Sequence, residues 1–388
     1  MSRRRIGICF PLFRPGGGAE ASALWAVEAL KDEYALTLIS AGRVSLSRLN
    51  ACYGTRIAKR EIRVVEIPLP NLVLCTFATV RGALLNRYCL RHAPEYEAMI
   101  SAYNVMDFGR RGIQLIADFS FDSSLRKAYG DLPLGWRRGL YEPRLLRSAY
   151  VAASRLLAGT GNGGWRKNLT VANSRWTRDV IGKAFGIAAE VVYPPVVEEK
   201  PPRPWKDQDN GFVYLGRVSF EKRIERIIEI LAAVRVRRPD IHLHIVGGAS
   251  KSYLRSIEPL LRRNRDWVYF EGPKFMAEKS ALIDAHRYGI SARANEPFGI
   301  AVAEMVQSGN LVFVPEGGGQ VEIVDHPDLI YENPGDAAAK IAAILDSPAR
   351  QKAVRDHLLS RRGRFSPARY MAEVRKLVRG FFSDGASS

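Results

Sequence analysis

Short apolar runs alternating with segments of helical period constrain this chain more than any other feature. Phe212-Val213-Tyr214-Leu215 is followed by Glu221 to Arg238, in which Ile224, Ile227, Ile228 and Leu231 fall at helical spacing. Further apolar runs follow at Ile241 to Val246, Val268-Tyr269-Phe270, Tyr288 to Ala292 and Leu311-Val312-Phe313-Val314. A run too short for a helix, then an amphipathic helix, then another run is the pattern of βαβ units, which assemble a parallel sheet covered by helices. The N-terminal part repeats it less cleanly. Ile6-Gly7-Ile8-Cys9-Phe10 reads as a strand, about Ala19 to Lys31 as a helix, and Ala35 to Ile39 and Leu169 to Asn173 as further strands.

The two patterns are separated by Tyr193-Pro194-Pro195 to Asn210, a stretch rich in proline and charge that has linker composition. A chain of 388 residues is also long for a single core. The expected organisation is therefore an N-terminal Rossmann-like domain over 1–192, a linker over 193–210, a C-terminal Rossmann-like domain over 211–365, and a final segment over 366–388. In that segment Ser366-Pro367 supplies an N-cap and a first-turn proline for a helix of about Ala368 to Arg379.

Several function classes are set aside. No run of about 18 apolar residues is present, so no membrane-spanning helix is expected. The opening MSRRRIGICFPLF runs straight into Arg14-Pro15-Gly16-Gly17-Gly18 and reads as a first strand ending in a glycine loop, not as a signal peptide. Cys9, Cys52, Cys75 and Cys89 have no metal-type spacing and read as reduced packing residues of a cytosolic protein. Gly159 to Gly164 resembles a dinucleotide fingerprint but precedes a strand, whereas the fingerprint must follow one and open a helix. Asp207-Gln208-Asp209 resembles a metal-binding Asp-x-Asp but lies in the linker. His242 and His244 share one strand face and could ligate a metal; no third ligand is evident, so packing or surface roles are expected, with no bound metal.

Three pieces carry chemistry. In Gly216-Arg217-Val218-Ser219-Phe220-Glu221-Lys222-Arg223 a strand ends, a glycine turns the chain and a helix is expected to open at about Ser219. Lys222 would then sit in the first helical turn, where a cation opposes the dipole by about 0.3–1 kcal/mol. An anion bound at the same helix end removes that misfit, and Arg217 could grip the same anion with its fork. A solvated Lys and Arg on a helix edge is the alternative. In the second piece, Asn295-Glu296-Pro297-Phe298-Gly299-Ile300, a helix is expected from about Gly299 to Gln307, with small and apolar residues that let a ligand approach free N–H donors. Glu296 before this helix and Glu304 within it can face one cleft at the carboxyl end of the sheet, and carboxylates there suit sugar and ribose hydroxyls; a helix-start Glu satisfying the dipole and a surface Glu are the alternative. The third piece, Glu316-Gly317-Gly318-Gly319-Gln320-Val321-Glu322, is by itself a turn.

In this order the pieces resemble the GT-B retaining glycosyltransferases of family 4. Gly17-Gly18-Ala19-Glu20, and Val171-Ala172-Asn173-Ser174-Arg175 before Val192-Tyr193-Pro194-Pro195, add to the likeness. The resemblance implies an α/β fold of two Rossmann-like domains facing across a cleft, with the last helix crossing back. It implies that Arg217 and Lys222 hold the donor diphosphate and that Glu296 contacts the donor sugar. The amides of Phe298, Gly299 and Ile300 would lie nearby, Glu304 would contact the ribose, and Gly17 and Gly18 would border the phosphate and the acceptor. It implies transfer from a UDP- or GDP-sugar with retention, without a metal or other cofactor. Many relatives carry a His after a strand in the N-terminal domain; the corresponding stretch here is Leu115 to Ser120, with Asp118.

The charge is uneven. The chain carries +18. Residues 1–195 hold 28 Lys+Arg against 15 Asp+Glu, and residues 196–388 hold 30 against 25, giving +13 and +5. Arg126, Lys127, Arg137, Arg138, Arg144, Arg147 and Arg155 are interleaved with Leu140, Leu145, Leu146 and Tyr150. That mix suits docking on anionic lipid, and Asn71 to Phe77 could add an apolar surface. The expectation is a cytoplasmic enzyme, peripheral at the inner face of a membrane, with a lipid-linked or glycan-precursor acceptor. A sugar-nucleotide epimerase on the same fold and a basic anionic-polymer module are the other readings. Glu296 and Glu304 argue against nucleic acid, because carboxylates repel phosphodiesters.

Overall fold

The computed structural model describes residues 3–13, 17–130, 153–154, 156–159, 163–197 and 201–384, apart from the side chains of Cys75 and Thr76. The chain divides into two compact units. One comprises Met1–Ala128, Leu134–Pro195 and Pro367–Ser388, the other Tyr129–Pro133 and Val196–Ser366.

The first unit is built on a parallel sheet of seven strands: β1 (Arg5–Phe10), β2 (Ala35–Ala41), β3 (Arg63–Ile67), β4 (Ala98–Ser101), β5 (Ile113–Ile116), β6 (Leu169–Ala172) and β7 (Ala189–Val191). Their order is β3-β2-β1-β4-β5-β6-β7. Alternate residues of β1 serve opposite faces. Ile6, Ile8 and Phe10 join a core with the helix Gly18–Leu30, while Cys9 joins a second core with Ile39, Leu85 and Met99. A strand buried on both faces reads as a continuous apolar run, which is how Ile6 to Phe10 reads.

The last helix, Pro367–Asp384, belongs to this first unit although 171 residues of the second unit, Val196–Ser366, precede it. Tyr370, Val374, Leu377, Val378 and Phe381 recur at helical spacing and are all buried. The Tyr370 hydroxyl donates to the Ser22 carbonyl at 2.8 Å, and Arg375 Nε donates to the Ala29 carbonyl at 2.8 Å. Arg379 pairs with Glu33 at 2.9 Å. The crossing-back helix thus packs on Gly18–Leu30, and it runs five residues beyond the expected Arg379.

The second unit has six parallel strands: β8 (Asp209–Leu215), β9 (Leu243–Val246), β10 (Val268–Gly272), β11 (His286–Ile290), β12 (Leu311–Pro315) and β13 (Ile330–Tyr331). Their order is β10-β9-β8-β11-β12-β13. In each unit the strand order reverses once, between β1 and β4 and between β8 and β11. Loops diverge at such a point, leaving a crevice at the carboxyl ends of the strands.

Two expectations about this unit are corrected. The helix after β8 spans Ile224–Arg235, so Phe220–Lys222 form a separate 3-10 turn, and Arg223 adopts a left-handed conformation (φ 51°) between them. Asp209 opens β8 and Asp207 ends the 3-10 turn Trp205–Asp207, so the Asp-x-Asp stretch is not extended linker.

In the glycine-rich stretch before β6, Gly163 precedes the 3-10 turn Gly164–Lys167, while Thr160, Gly161 and Asn162 lie outside the described residues. So do Arg14, Pro15 and Gly16, and the basic stretch Arg137, Arg138, Leu140, Arg144, Leu145, Leu146, Arg147, Tyr150 and Arg155. Cys9, Cys52 and Cys89 are free thiols. Among the described residues no helix is long and apolar enough to cross a membrane.

Candidate functional site

At the carboxyl end of β8 the backbone turns through Gly216 (φ 139°), and Gly216 N–H donates to the Val246 carbonyl at 3.0 Å. The neighbouring turn after β9 requires Gly247: a Cβ there would lie 1.8 Å from the Gly216 carbonyl oxygen. Two glycines thus let the β8 and β9 loops touch backbone to backbone. The buried Tyr214 hydroxyl donates to the Arg217 carbonyl at 2.8 Å and holds this loop from below. Arg217 is exposed.

Lys222 ends the 3-10 turn, two residues before the helix Ile224–Arg235. The expected clash with the first turn of that helix therefore does not arise. Its charge meets a carboxylate instead. Lys222 Nζ donates to Glu296 Oε2 at 2.5 Å, and Arg293 Nη1 reaches Glu296 Oε1 and Oε2 at 3.1 Å each. These side chains are largely withdrawn from solvent. Burial alone would raise the Glu296 carboxyl. The charges of Lys222 and Arg293, and the hydrogen bonds they donate, outweigh it and hold that carboxyl at about 2. Arg293 follows the carboxyl end of β11, so the trio joins the two strands that flank the reversal of strand order.

The glycine run after β12 has a definite task. Gly319 N–H donates to the Glu296 carbonyl at 2.7 Å, and a Cβ at Gly318 (φ 78°) would lie 2.5 Å from the Glu296 oxygen and 2.6 Å from its nitrogen. Buried Gln320 donates from Nε2 to the Arg293 carbonyl at 2.7 Å. The loop Glu316–Gln320 is therefore the floor on which Arg293 and Glu296 are presented.

The helix that follows spans Ile300–Gln307 and starts from Gly299 in a left-handed conformation (φ 102°), with no side chain capping its first N–H groups. Phe298 is buried edge-on against Phe365, with ring centroids 5.4 Å apart. Glu304 pairs with Lys279 at 2.9 Å, so the two carboxylates singled out in the sequence hold different cations. Arg293 and Lys279 were not foreseen. Neither belongs to a recognisable motif, and Lys279 comes from the separate helix Met276–Ala285.

In the first unit, Gly18 begins the helix Gly18–Leu30 and Gly17 is its N-cap. Gly17 N–H donates to the Tyr53 hydroxyl at 3.1 Å, and a Cβ there would lie 2.0 Å from Glu20 Oε2. The Asp118 carboxylate is already engaged. It accepts from the Tyr103 hydroxyl and from Asn104 Nδ2, each at 2.8 Å, and from Ser120 N–H at 2.8 Å. Burial and the adjacent Asp118 charge both push the Tyr103 hydroxyl up.

A third imidazole joins the histidine pair noted in the sequence. His242, His244 and His286 gather with their ligating nitrogens within 4.8 Å of one another. His286, the first residue of β11, was missed because it lies on a strand remote in sequence that pairs directly with β8.

Residues 197–357 match the family model for glycosyl transferases group 1. The chain carries a group 1 glycosyltransferase domain. That domain contains Arg217, Lys222, Arg293, Glu296 and Glu304. No curated protein matches the sequence. Among solved structures, WaaG, a glycosyltransferase involved in lipopolysaccharide biosynthesis, superposes with a TM-score of 0.69 at 15% identity, over 95% of this chain and 99% of that one. HepE of Anabaena in complex with UDP-glucose gives 0.67 at 16% identity, over 97% and 100%. Sucrose-phosphate synthase of Thermosynechococcus elongatus gives 0.68 at 15%, over 98% and 100%. These likenesses give the two parallel sheets of this chain the GT-B fold.

Proposed function

We propose that this glycosyltransferase moves a sugar, with retention, from a UDP- or GDP-sugar to a lipid-linked or glycan-precursor acceptor, and that it does so without a metal. One observation carries the reading. Two loops of the group 1 domain, those after β8 and β11, bring a lysine, an arginine and a glutamate together where the strand order reverses. A departing nucleoside diphosphate needs cations fixed in advance where its charge develops. Lys222, with exposed Arg217 beside the same loop, supplies them, and a diphosphate can draw Lys222 away from Glu296. Glu296 then remains on Arg293, held ionised as an acceptor for sugar hydroxyls. The uncapped N–H groups at the start of Ile300–Gln307 offer further donors to an anion. Glu304 accepts from the ribose. Gly17 and Gly18 carry no side chains of their own at the start of their helix, where a phosphate or acceptor would approach beside Glu20. HepE in complex with UDP-glucose supports a nucleotide-sugar donor.

The acceptor side rests on charge. Residues 1–195 carry the +13 surplus, and Leu72 and Phe77, 64% and 39% exposed, offer apolar anchors on the same unit. Together they favour peripheral attachment to an anionic membrane on its cytoplasmic face over binding to nucleic acid. Incubation with a panel of radiolabelled sugar nucleotides and membrane extract tests the reading. Label extractable into organic solvent from one donor supports it. Interconversion of free sugar nucleotides with no transferred label would support an epimerase in its place.

A further inference from the structure

Within the second unit, the amino ends of the strands carry a second cluster that the transfer reaction does not use. His242 lies just before β9, His244 is its second residue, and His286 opens β11. Between them in the sheet runs β8, whose Gly211 makes room: a Cβ at that position would lie 2.3 Å from His242 Nε2 and 2.4 Å from His286 Cδ2. Arg217 and Glu296 follow the carboxyl ends of β8 and β11, so the histidines stand at the opposite edge of the same sheet.

Two of the three rings are oriented by their other nitrogen. His286 Nδ1 faces the Leu282 carbonyl at 2.6 Å. A carbonyl only accepts, so the neutral ring carries its proton on Nδ1 and turns a bare Nε2 lone pair toward His242 Nε2, 3.1 Å away. His244 Nδ1 meets Glu271 Oε1 at 2.8 Å, which fixes the same tautomer and leaves its Nε2 bare. Imidazole ligands of metals are held in this manner, with a carboxylate or backbone carbonyl on the far nitrogen.

We infer that His242, His244 and His286 form a binding site for one zinc ion, with water in the fourth position. Zinc takes nitrogen ligands at about 2.0–2.1 Å in a tetrahedron, which sets neighbouring nitrogens roughly 3.3 Å apart. The His242–His286 separation of 3.1 Å is already close to that, and His244 closes the remainder by rotation. His242 and His244 are only partly buried, so an ion can enter from solvent. The ion clamps β9 to β11 across β8 and acts in stability, away from the diphosphate. The competing arrangement is a metal-free hydrogen bond between His242 and His286.

The test uses untagged full-length protein, dialysed against chelator and then titrated with Zn²⁺ in competition with a chromogenic chelator. One equivalent should bind, with a rise in melting temperature, and Co²⁺ should give the visible absorption of tetrahedral nitrogen coordination. His286→Asn should abolish the Co²⁺ signal, and Glu271→Gln should weaken Zn²⁺ affinity by about 10–100-fold. If His286→Asn fails to fold, partly exposed His244→Gln carries the same test. Absence of bound zinc in the unsubstituted protein, or undiminished affinity in His244→Gln, would overturn the site.

Discussion

Lys222 Nζ lies 2.5 Å from Glu296 Oε2, although 74 residues separate the two in the chain. The pair makes Glu296 a held anion and Lys222 a cation with a partner it can exchange. Glu296→Ala should lower turnover by roughly 10²–10³, the scale for losing one organised electrostatic partner. Affinity for UDP or GDP should not fall, because the substitution frees Lys222. Steady-state kinetics beside calorimetry reads both; turnover within a few-fold of the parent would remove Glu296 from the site.

Lys222→Ala acts on the other side of the balance. A hydrogen bond to a charged group contributes about 1.5–3 kcal/mol, so nucleoside-diphosphate affinity should fall by about 10–100-fold. Arg293 still neutralises Glu296, which predicts a folded variant. Circular dichroism and binding calorimetry on one preparation check the two halves, and unchanged affinity would contradict the role given to Lys222.

Gly318→Ala tests the floor beneath Glu296. The new Cβ meets backbone atoms, which cannot swing aside, and Gly318 has φ 78°. A strained left-handed residue costs about 1–3 kcal/mol, and the Glu296 loop must shift. Activity should therefore fall further than stability does. Gly363→Ala, where a Cβ meets nothing within 4 Å, is the matched control.

Much of this site was legible in the sequence, for physical reasons. A glycine after an apolar run marks the end of a parallel strand, and Gly216 and Gly299 both stand at turns of positive φ. The cations and carboxylates nearby were visible by residue type. Their partners were not. Arg293 and Lys279 reach Glu296 and Glu304 only through folding, and the fit of Gly318 to the Glu296 backbone needs β11 and β12 side by side. The helix start was misjudged because Phe220-Glu221-Lys222 continues the polar and apolar pattern of the helix, while the left-handed Arg223 breaks it. In the first unit β3, β4 and β7 escaped notice: they have three to five residues each, and Arg63, Glu66 and Glu190 interrupt the apolar runs of β3 and β7.

The pH dependence of stability follows from the sign of the Glu296 shift. Its folded value is depressed from an ordinary 4.5 to about 2. The stability it contributes is therefore fully present above about 4.5 and is lost as pH falls toward 2. The full shift corresponds to on the order of 3 kcal/mol. Denaturant unfolding between pH 5 and 3 should show a steeper loss in the parent than in Glu296→Gln, and parallel slopes would contradict the account.

The crossing-back helix is held by apolar contacts. Phe381 is buried against the core of the first unit. Phe381→Ala should destabilise that unit by about 3–5 kcal/mol, read as a lower denaturant midpoint with an unchanged slope.

The central claim is that the group 1 domain binds a nucleoside diphosphate through its own cations. Calorimetric titration of UDP and of GDP into the full-length protein, with and without EDTA, tests it most directly. The account predicts saturable binding of one of them, equal in both buffers and weakened in Lys222→Ala. Binding that appears only with added Mg²⁺ or Mn²⁺, or no binding of either nucleotide, would contradict it.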